Sequence, residues 1–412
     1  RSVRPADKVL AQTPKPKWYE AVAPPLYIKS GSNSSWGTPD FYLERASSLD
    51  SFRQEFSLAS PSEKAAVDLR CLKLSQYEQM LDAECTGRWL TILKEGRITS
   101  IDKLWGFFET HNGAITVTIN NRYKALFKPC SSKSEDTGRE VLASHLDRVM
   151  QWGQAVPVTG RRISLNELLP LVSRLSTASQ RVYADTIGKC SRGGYMKGPM
   201  MGWIEGLIPV RTMRKMAIPA TELVEMREDA YYVATAYANQ KQSKFHSFYW
   251  LVDILRHGKD EFVTPEADLI SLDLDRSKFL YLKSITSPNI NFTWCFTCNM
   301  DRWVYETLNS VSSHPDVPPE SRLSNLLKIS LSKEELFPDA YTAQIGYFLD
   351  QRVESLLQCV THCIKVYGES EVLLAETKPT SKSLVRYYVQ NSEYKNRNGM
   401  KPPENLAQLL ND

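Results

Sequence analysis

Residues 114–129 constrain the fold more than any other stretch, because their pattern is that of a β-hairpin. From Ala114 to Ile119 the chain alternates Ile, Val and Ile with Thr, the period of a half-buried strand. Asn120-Asn121 supplies turn residues that tolerate positive φ, and Tyr123 to Phe127 returns as the second strand, ending in Lys128-Pro129. A polar loop follows over 131–137. A helix is then predicted from about Gly138 to Trp152, with Val141, Leu142, Leu146, Val149 and Met150 on one face.

The rest of the chain is less regular. Residues 1–60 are rich in Pro, Ser and Lys and read as a flexible stem. Helical patterns alternate with polar turns over 61–110, and these amphipathic segments are candidates for a dimer contact. After Pro157 several helices are expected, broken by the Gly-rich run Gly193–Gly206. Lys241–Trp250 reads as an amphipathic helix with Phe245, Phe248, Tyr249 and Leu251 inward. A long helix is expected from Asp339, as N-cap, to Gly368, as C-terminal stop. Its stripe is Ile345, Phe348, Leu349, Val353, Leu356, Leu357, Val360 and Ile364. Residues 371–412 are polar and form a tail.

Composition excludes several function classes. A net charge of +4 spread over 412 residues does not make a nucleic-acid groove. No run of about 18 apolar residues is present to span a membrane. The eight cysteines are an even number, compatible with disulfides in an oxidising compartment; four thiols, including the Cys295/Cys298 pair, would also suffice for zinc. Asn33-Ser34-Ser35 and Asn291-Phe292-Thr293 are N-glycosylation acceptors.

Chemistry is suggested by Asn299-Met300-Asp301-Arg302, with Tyr305-Glu306 shortly after. A kinase catalytic loop needs an Asp to take or orient the proton of the attacking hydroxyl, and a nearby side chain to hold a metal on the phosphates. Upstream, a strand ending in Lys128 and a helix beginning with Glu140 match the kinase amino lobe. There a strand Lys holds nucleotide phosphates and a helix Glu keeps it in place. By themselves these two also read as a snorkelling surface Lys and a Glu favoured at a helix start.

Three segments together resemble the Golgi-lumen kinase family that contains four-jointed, the secretory-pathway casein kinase and the glycosaminoglycan xylosylkinase. They are Ala125-Leu126-Phe127-Lys128-Pro129, Glu140-Val141-Leu142-Ala143-Ser144-His145-Leu146-Asp147-Arg148 continuing to Val156–Arg161, and Asn299–Arg302 with Tyr305-Glu306. Weaker echoes lie in Lys197-Gly198 through Pro209 and in Leu349-Asp350-Gln351-Arg352. The resemblance implies an α+β, bilobal, atypical kinase-like fold. A small antiparallel sheet with helices would form the amino lobe, about 61–195, and helices most of the carboxyl lobe, about 196–370. It implies ATP as cofactor with Mn²⁺ or Mg²⁺. Lys128 would contact the phosphates, Glu140 would pair with Lys128 or the metal, Asp301 would be the catalytic base, and Glu306 would be the metal ligand. His145 and Asp147 would fasten their helix to its surroundings. The cysteines would form disulfides, and the protein would reside in the Golgi lumen or be secreted. It would phosphorylate a hydroxyl of a secreted protein or a glycan, alone or as a homo- or hetero-dimer with a related kinase.

Two departures bear on activity. The family carries an Asp-x-Gly metal motif soon after the catalytic loop, whereas Leu308 here is followed by Asn309–Asp316 with no glycine. A second family lysine, on the strand before Lys128, is also missing. Two expectations therefore stand beside each other: a kinase with weakened metal binding, and a catalytically inactive pseudokinase that binds and regulates an active relative. An unrelated helical binding protein is the third reading.

Overall fold

The computed structural model describes residues 69–102, 114–129, 136–209, 244–252, 300–332 and 334–374, with short pieces between 261 and 279. The stem 1–60, the chain beyond 374, both glycosylation triplets, the loop 131–135 and Asn299 lie outside the described residues.

The chain enters through two helices, α1 (Gln76–Leu81) and α2 (Ala83–Glu95). Ser75 and Glu78 form a reciprocal capping box at α1, and Asp82 caps α2 by accepting from Cys85 N. A disulfide joins Cys71 to Cys85. Cys190, Cys359 and Cys363 are disulfide-bonded too, so none of these five thiols is available to a zinc ion.

An antiparallel sheet follows, made of β1 (Ile98–Asp102), β2 (Ile115–Ile119), β3 (Tyr123–Phe127), β4 (Val158–Ser164), β5 (Ser191–Arg192) and β6 (Tyr195–Gly202). The strand order is β1-β2-β3-β6-β4, with β5 paired to β6. The β2–β3 hairpin has the expected register, and Asn120 and Asn121 take φ of 52° and 57°. Ile115, Val117 and Ile119 are buried while Thr116 and Thr118 are half-buried, as the alternation predicts. Helix α3 (Asp136–Met150) lies on the sheet, and its five predicted core residues are all buried.

The sequence reading needs correction after Pro157. Val158–Ser164 is a strand, and the Gly-rich run contains β6, which sits between β3 and β4 in the middle of the sheet. The expected lobe boundary at 195/196 therefore falls where this sheet is continuous. Val158-Thr159-Gly160-Arg161-Arg162-Ile163-Ser164 hides its strand character because Arg161 points inward. Its guanidinium donates to Leu93 O (2.9 Å) and Gly96 O (2.6 Å), so a buried cation and the carboxyl end of α2 partner each other. Helices α4 (Leu165–Val172) and α5 (Thr177–Cys190) intervene between β4 and β5.

Beyond β6 a small sheet forms from β7 (Ile208–Pro209), β8 (Glu261–Val263) and β9 (Leu269–Ser271), and residues 244–252 are helical. Phe245, Phe248, Tyr249 and Leu251 are buried there, as are Trp250 and Val252. Strand β10 (Met300–Asp301) leads into α6 (Arg302–Ser310), then α7 (Leu323–Leu331), α8 (Ala343–Tyr367), α9 (Glu369–Val372) and β11 (Leu373–Leu374). The long helix begins later than expected. Thr342 is its N-cap, because Pro338–Ala340 closes into a separate 3₁₀ turn containing Asp339. Gly368, at φ 91°, ends it as predicted. Six of the predicted stripe residues are buried, while Phe348 and Ile364 are only partly so. Helix α7 packs against both α3 and α8, and α8 packs against α6. One buried cluster thus runs from Trp89 and Phe127 through Phe245 to Leu326 and Leu356. The fold is a mixed α+β one, an antiparallel sheet with helices followed by a mainly helical half.

Candidate functional site

Lys128 leaves the end of β3 with its backbone still in the sheet, its N–H donating to Pro199 O at 3.0 Å. A Cβ at Gly198 would collide with the Lys128 carbonyl, so the approach of β6 to Lys128-Pro129 requires glycine there. Glu140 stands early in α3. Its Oε2 accepts from Lys128 Nζ at 3.1 Å and its Oε1 from Leu274 N at 3.0 Å. Both side chains are buried, at 3% and 0% exposure, which overturns the surface reading of this pair. A buried ion pair gains little net stability over apolar residues, but leaving either partner alone costs about 3–5 kcal/mol.

Asp301 ends β10, which pairs in parallel with β11 through Met300↔Leu373 and Asp301↔Leu374. The fold therefore continues past the expected domain end at 370. Asp301 is also the N-cap of α6, where its Oδ1 accepts from Val304 N at 3.1 Å. Arg302 Nη1 pairs with Glu369 Oε1 at 2.7 Å. Glu306 is half-exposed on α6. Burial raises its pKa; Arg302 opposes the rise, while Asp301 and Glu369 add to it. Asp301, Glu306 and Glu369 thus share one electrostatic neighbourhood. Sequence reasoning missed Glu369, which carried no signal beyond its place at the end of a long helix.

Lys128 is brought to Glu140, and Asp301 to Glu306. The first pair lies between β3 and α3, the second at the start of α6, and the packing of α3, α7, α8 and α6 connects them. Residues 311–322, which follow α6, form turns and a 3₁₀ turn over Pro319–Ser321. Ser313 N and Oγ both donate to Glu354 Oε1 at 2.8 Å, and Asp316 is exposed beside His314. Hard oxygen donors suit Mg²⁺ or Mn²⁺. Among the described residues, however, no three acidic, His or Cys side chains converge on one point. The donors present do not make a protein-built site for that ion.

His145 and Asp147 fasten α3 as expected. His145 Nδ1 meets Ser330 Oγ of α7 at 2.8 Å, and Asp147 accepts from Gln154 N and Ala155 N. In the Leu349–Arg352 echo, Asp350 accepts from Ser324 N and Oγ. The buried Arg352 donates to Leu251 O and Phe279 O.

No family model and no curated protein matches the chain. Among solved structures, hydra Fam20 with sugar is 17% identical, with a TM-score of 0.46 over 70% of this chain and 92% of that one. A crystal structure of the Golgi casein kinase is 15% identical, with a TM-score of 0.47 over 86% and 96%. The Golgi casein kinase with Mn/ADP bound is 16% identical, with a TM-score of 0.48 over 85% and 96%.

Proposed function

We propose that the chain is a secretory-pathway kinase-like protein whose Lys128–Glu140 pair holds the phosphates of ATP. The observation that carries this reading is the burial of that pair at 3.1 Å, made by the strand and helix that the motifs resemble. A desolvated cation kept beside a carboxylate is poorly explained by stability and well explained by an anionic ligand. In this reading Asp301 accepts the proton of an acceptor hydroxyl, on a secreted protein's Ser or Thr or on a glycan. Glu306 would supply one carboxylate to a Mn²⁺ or Mg²⁺ whose other ligands came from the phosphates. The Cys71–Cys85 disulfide supports an oxidising compartment, the Golgi lumen or outside the cell. No helix among the described residues is long and apolar enough to cross a membrane.

A second reading, a pseudokinase that acts by binding, is favoured by residues 311–322, which supply no inward carboxylate, and by Glu369, which is engaged by Arg302. The experiment is a thermal shift with ATP, with and without Mn²⁺, since a ligand specific to the folded state raises the melting point. A metal-dependent rise supports phosphotransfer, and a rise without metal supports the pseudokinase. No rise at saturating ATP sinks the phosphate-holding reading and leaves a non-catalytic scaffold.

A further inference from the structure

Helix α3 carries more than Glu140 on its inner stripe. Glu140, Ser144 and Asp147 follow one another at i, i+4 and i+7, on one helix face, and all are buried. Each holds backbone from another segment. Glu140 Oε1 takes Leu274 N. Ser144 Oγ donates to Val156 O at 3.1 Å and accepts from Val158 N at 3.0 Å. Asp147 accepts from Gln154 N at 2.9 Å and from Ala155 N at 3.2 Å.

These segments are themselves joined. Ser271 N donates to Gln154 O at 2.7 Å, and Ala155 forms a parallel bridge with Ser271. The turn that Asp147 holds therefore holds β9, and β9 runs on to the Leu274 amide that Glu140 holds. Gln151 and Gly153 take φ of 56° and 65° in this turn, a conformation that the surrounding bonds must maintain.

We propose that Asp147 is a positioning residue for Glu140, and that its ionisation acts as a pH-sensitive latch on the seam between α3 and β9. The proposal rests on the reading of Lys128–Glu140 as a phosphate-holding pair.

Lys244, from the helical residues 244–252, is a cation acting on Asp147, and Lys244 is itself 4.0 Å from Asp268. Arg148 lines the same small cavity, of about 30 Å³, with Met80, Leu81, Thr86, Ser144 and Gln151; the Tyr77 hydroxyl lies near Gly153. Burial pushes the Asp147 carboxyl up to about 7, against the pull of the Gln154 and Ala155 amides and Lys244. Below that pH the closed seam buries a neutral acid. Between about pH 4 and 7 the open seam ionises while the closed one stays neutral, so the linkage favours opening as pH rises through that window and levels off above it. A cavity of this size with polar groups among its lining residues has room for a water.

The test is amide hydrogen exchange of the full chain between pH 5 and 8, corrected for intrinsic rates, at Gln154, Ala155 and Leu274. In the unsubstituted protein, protection at all three should fall together, by up to about tenfold per pH unit between pH 5 and 7, and level off above pH 7. In Asp147→Asn, which is always neutral, the three should be flat with pH. ATP affinity should follow the same pattern, weakening between pH 5 and 7 in the unsubstituted protein beyond any slope in the variant, and levelling off above pH 7. The proposal is overturned if Leu274 ignores pH while Gln154 and Ala155 respond, or if the variant keeps the same slope. Should the variant fail to fold, the behaviour of Leu274 in the unsubstituted protein still decides. Absence of ATP binding at every pH would sink the phosphate-holding reading, while the amide data would judge the latch separately.

Discussion

Asp301 has two duties that a single substitution confuses. As an N-cap it satisfies the Val304 amide, and its carboxylate is also the candidate base. Asp301→Ala should cost about 1 kcal/mol through loss of the cap, whereas Asp301→Asn keeps a good capping residue and should cost only a few tenths. Both should abolish any phosphotransfer. Urea denaturation beside a transfer assay checks this; full activity in Asp301→Asn would remove Asp301 from the chemistry. Lys128→Met strands the Glu140 carboxylate in the core and should cost about 3–5 kcal/mol. Adding Glu140→Gln should recover part of that loss, since the buried charge is then gone. Strict additivity in the double-mutant cycle would mean that the two side chains do not interact.

At the scale of elements, the β2–β3 hairpin and α3 were legible because period and turn chemistry agreed over their whole lengths. Strand β4 was not, because Arg161 and Gly160 break its alternation. Gly160 allows close approach to Glu334, and Arg161 reaches carbonyls of α2, contacts that no local rule anticipates. Helix α8 was placed correctly except for its start, where the 3₁₀ turn Pro338–Ala340 takes up Asp339 and Thr342 is the N-cap. The entry helices depend on a covalent tie. Cys71 and Cys85 are separated by 14 positions, and opening a loop of that size should lower stability by about 3 kcal/mol. A Cys71→Ser/Cys85→Ser variant measured by chemical denaturation gives the value, and a change near zero would mean that α1 and α2 are held by packing alone.

For the molecule as a whole, burial raises the carboxyls of Asp147, Asp350 and the half-exposed Glu306. An acid whose folded pKa lies above its unfolded value stabilises the fold at low pH and loses that contribution as pH rises through the folded value. For Asp147 the window runs from about 4 to 7, and its size is on the order of a few kcal/mol. These groups should therefore make the protein more stable to urea at pH 5 than at pH 8. Asp147→Asn should shrink the difference; an unchanged difference would assign it to other groups. The sequence alone determined the hairpin, α3, most of α8 and the residue types of the candidate site, because short-range periodicity and motif order carry that information. The tertiary structure alone decided that Lys128 and Glu140 meet in the core, that β6 lies between β3 and β4, and that Glu369 returns to Arg302. Those outcomes depend on strand pairing and burial between segments far apart in the chain, for which neither propensity nor pattern has a term.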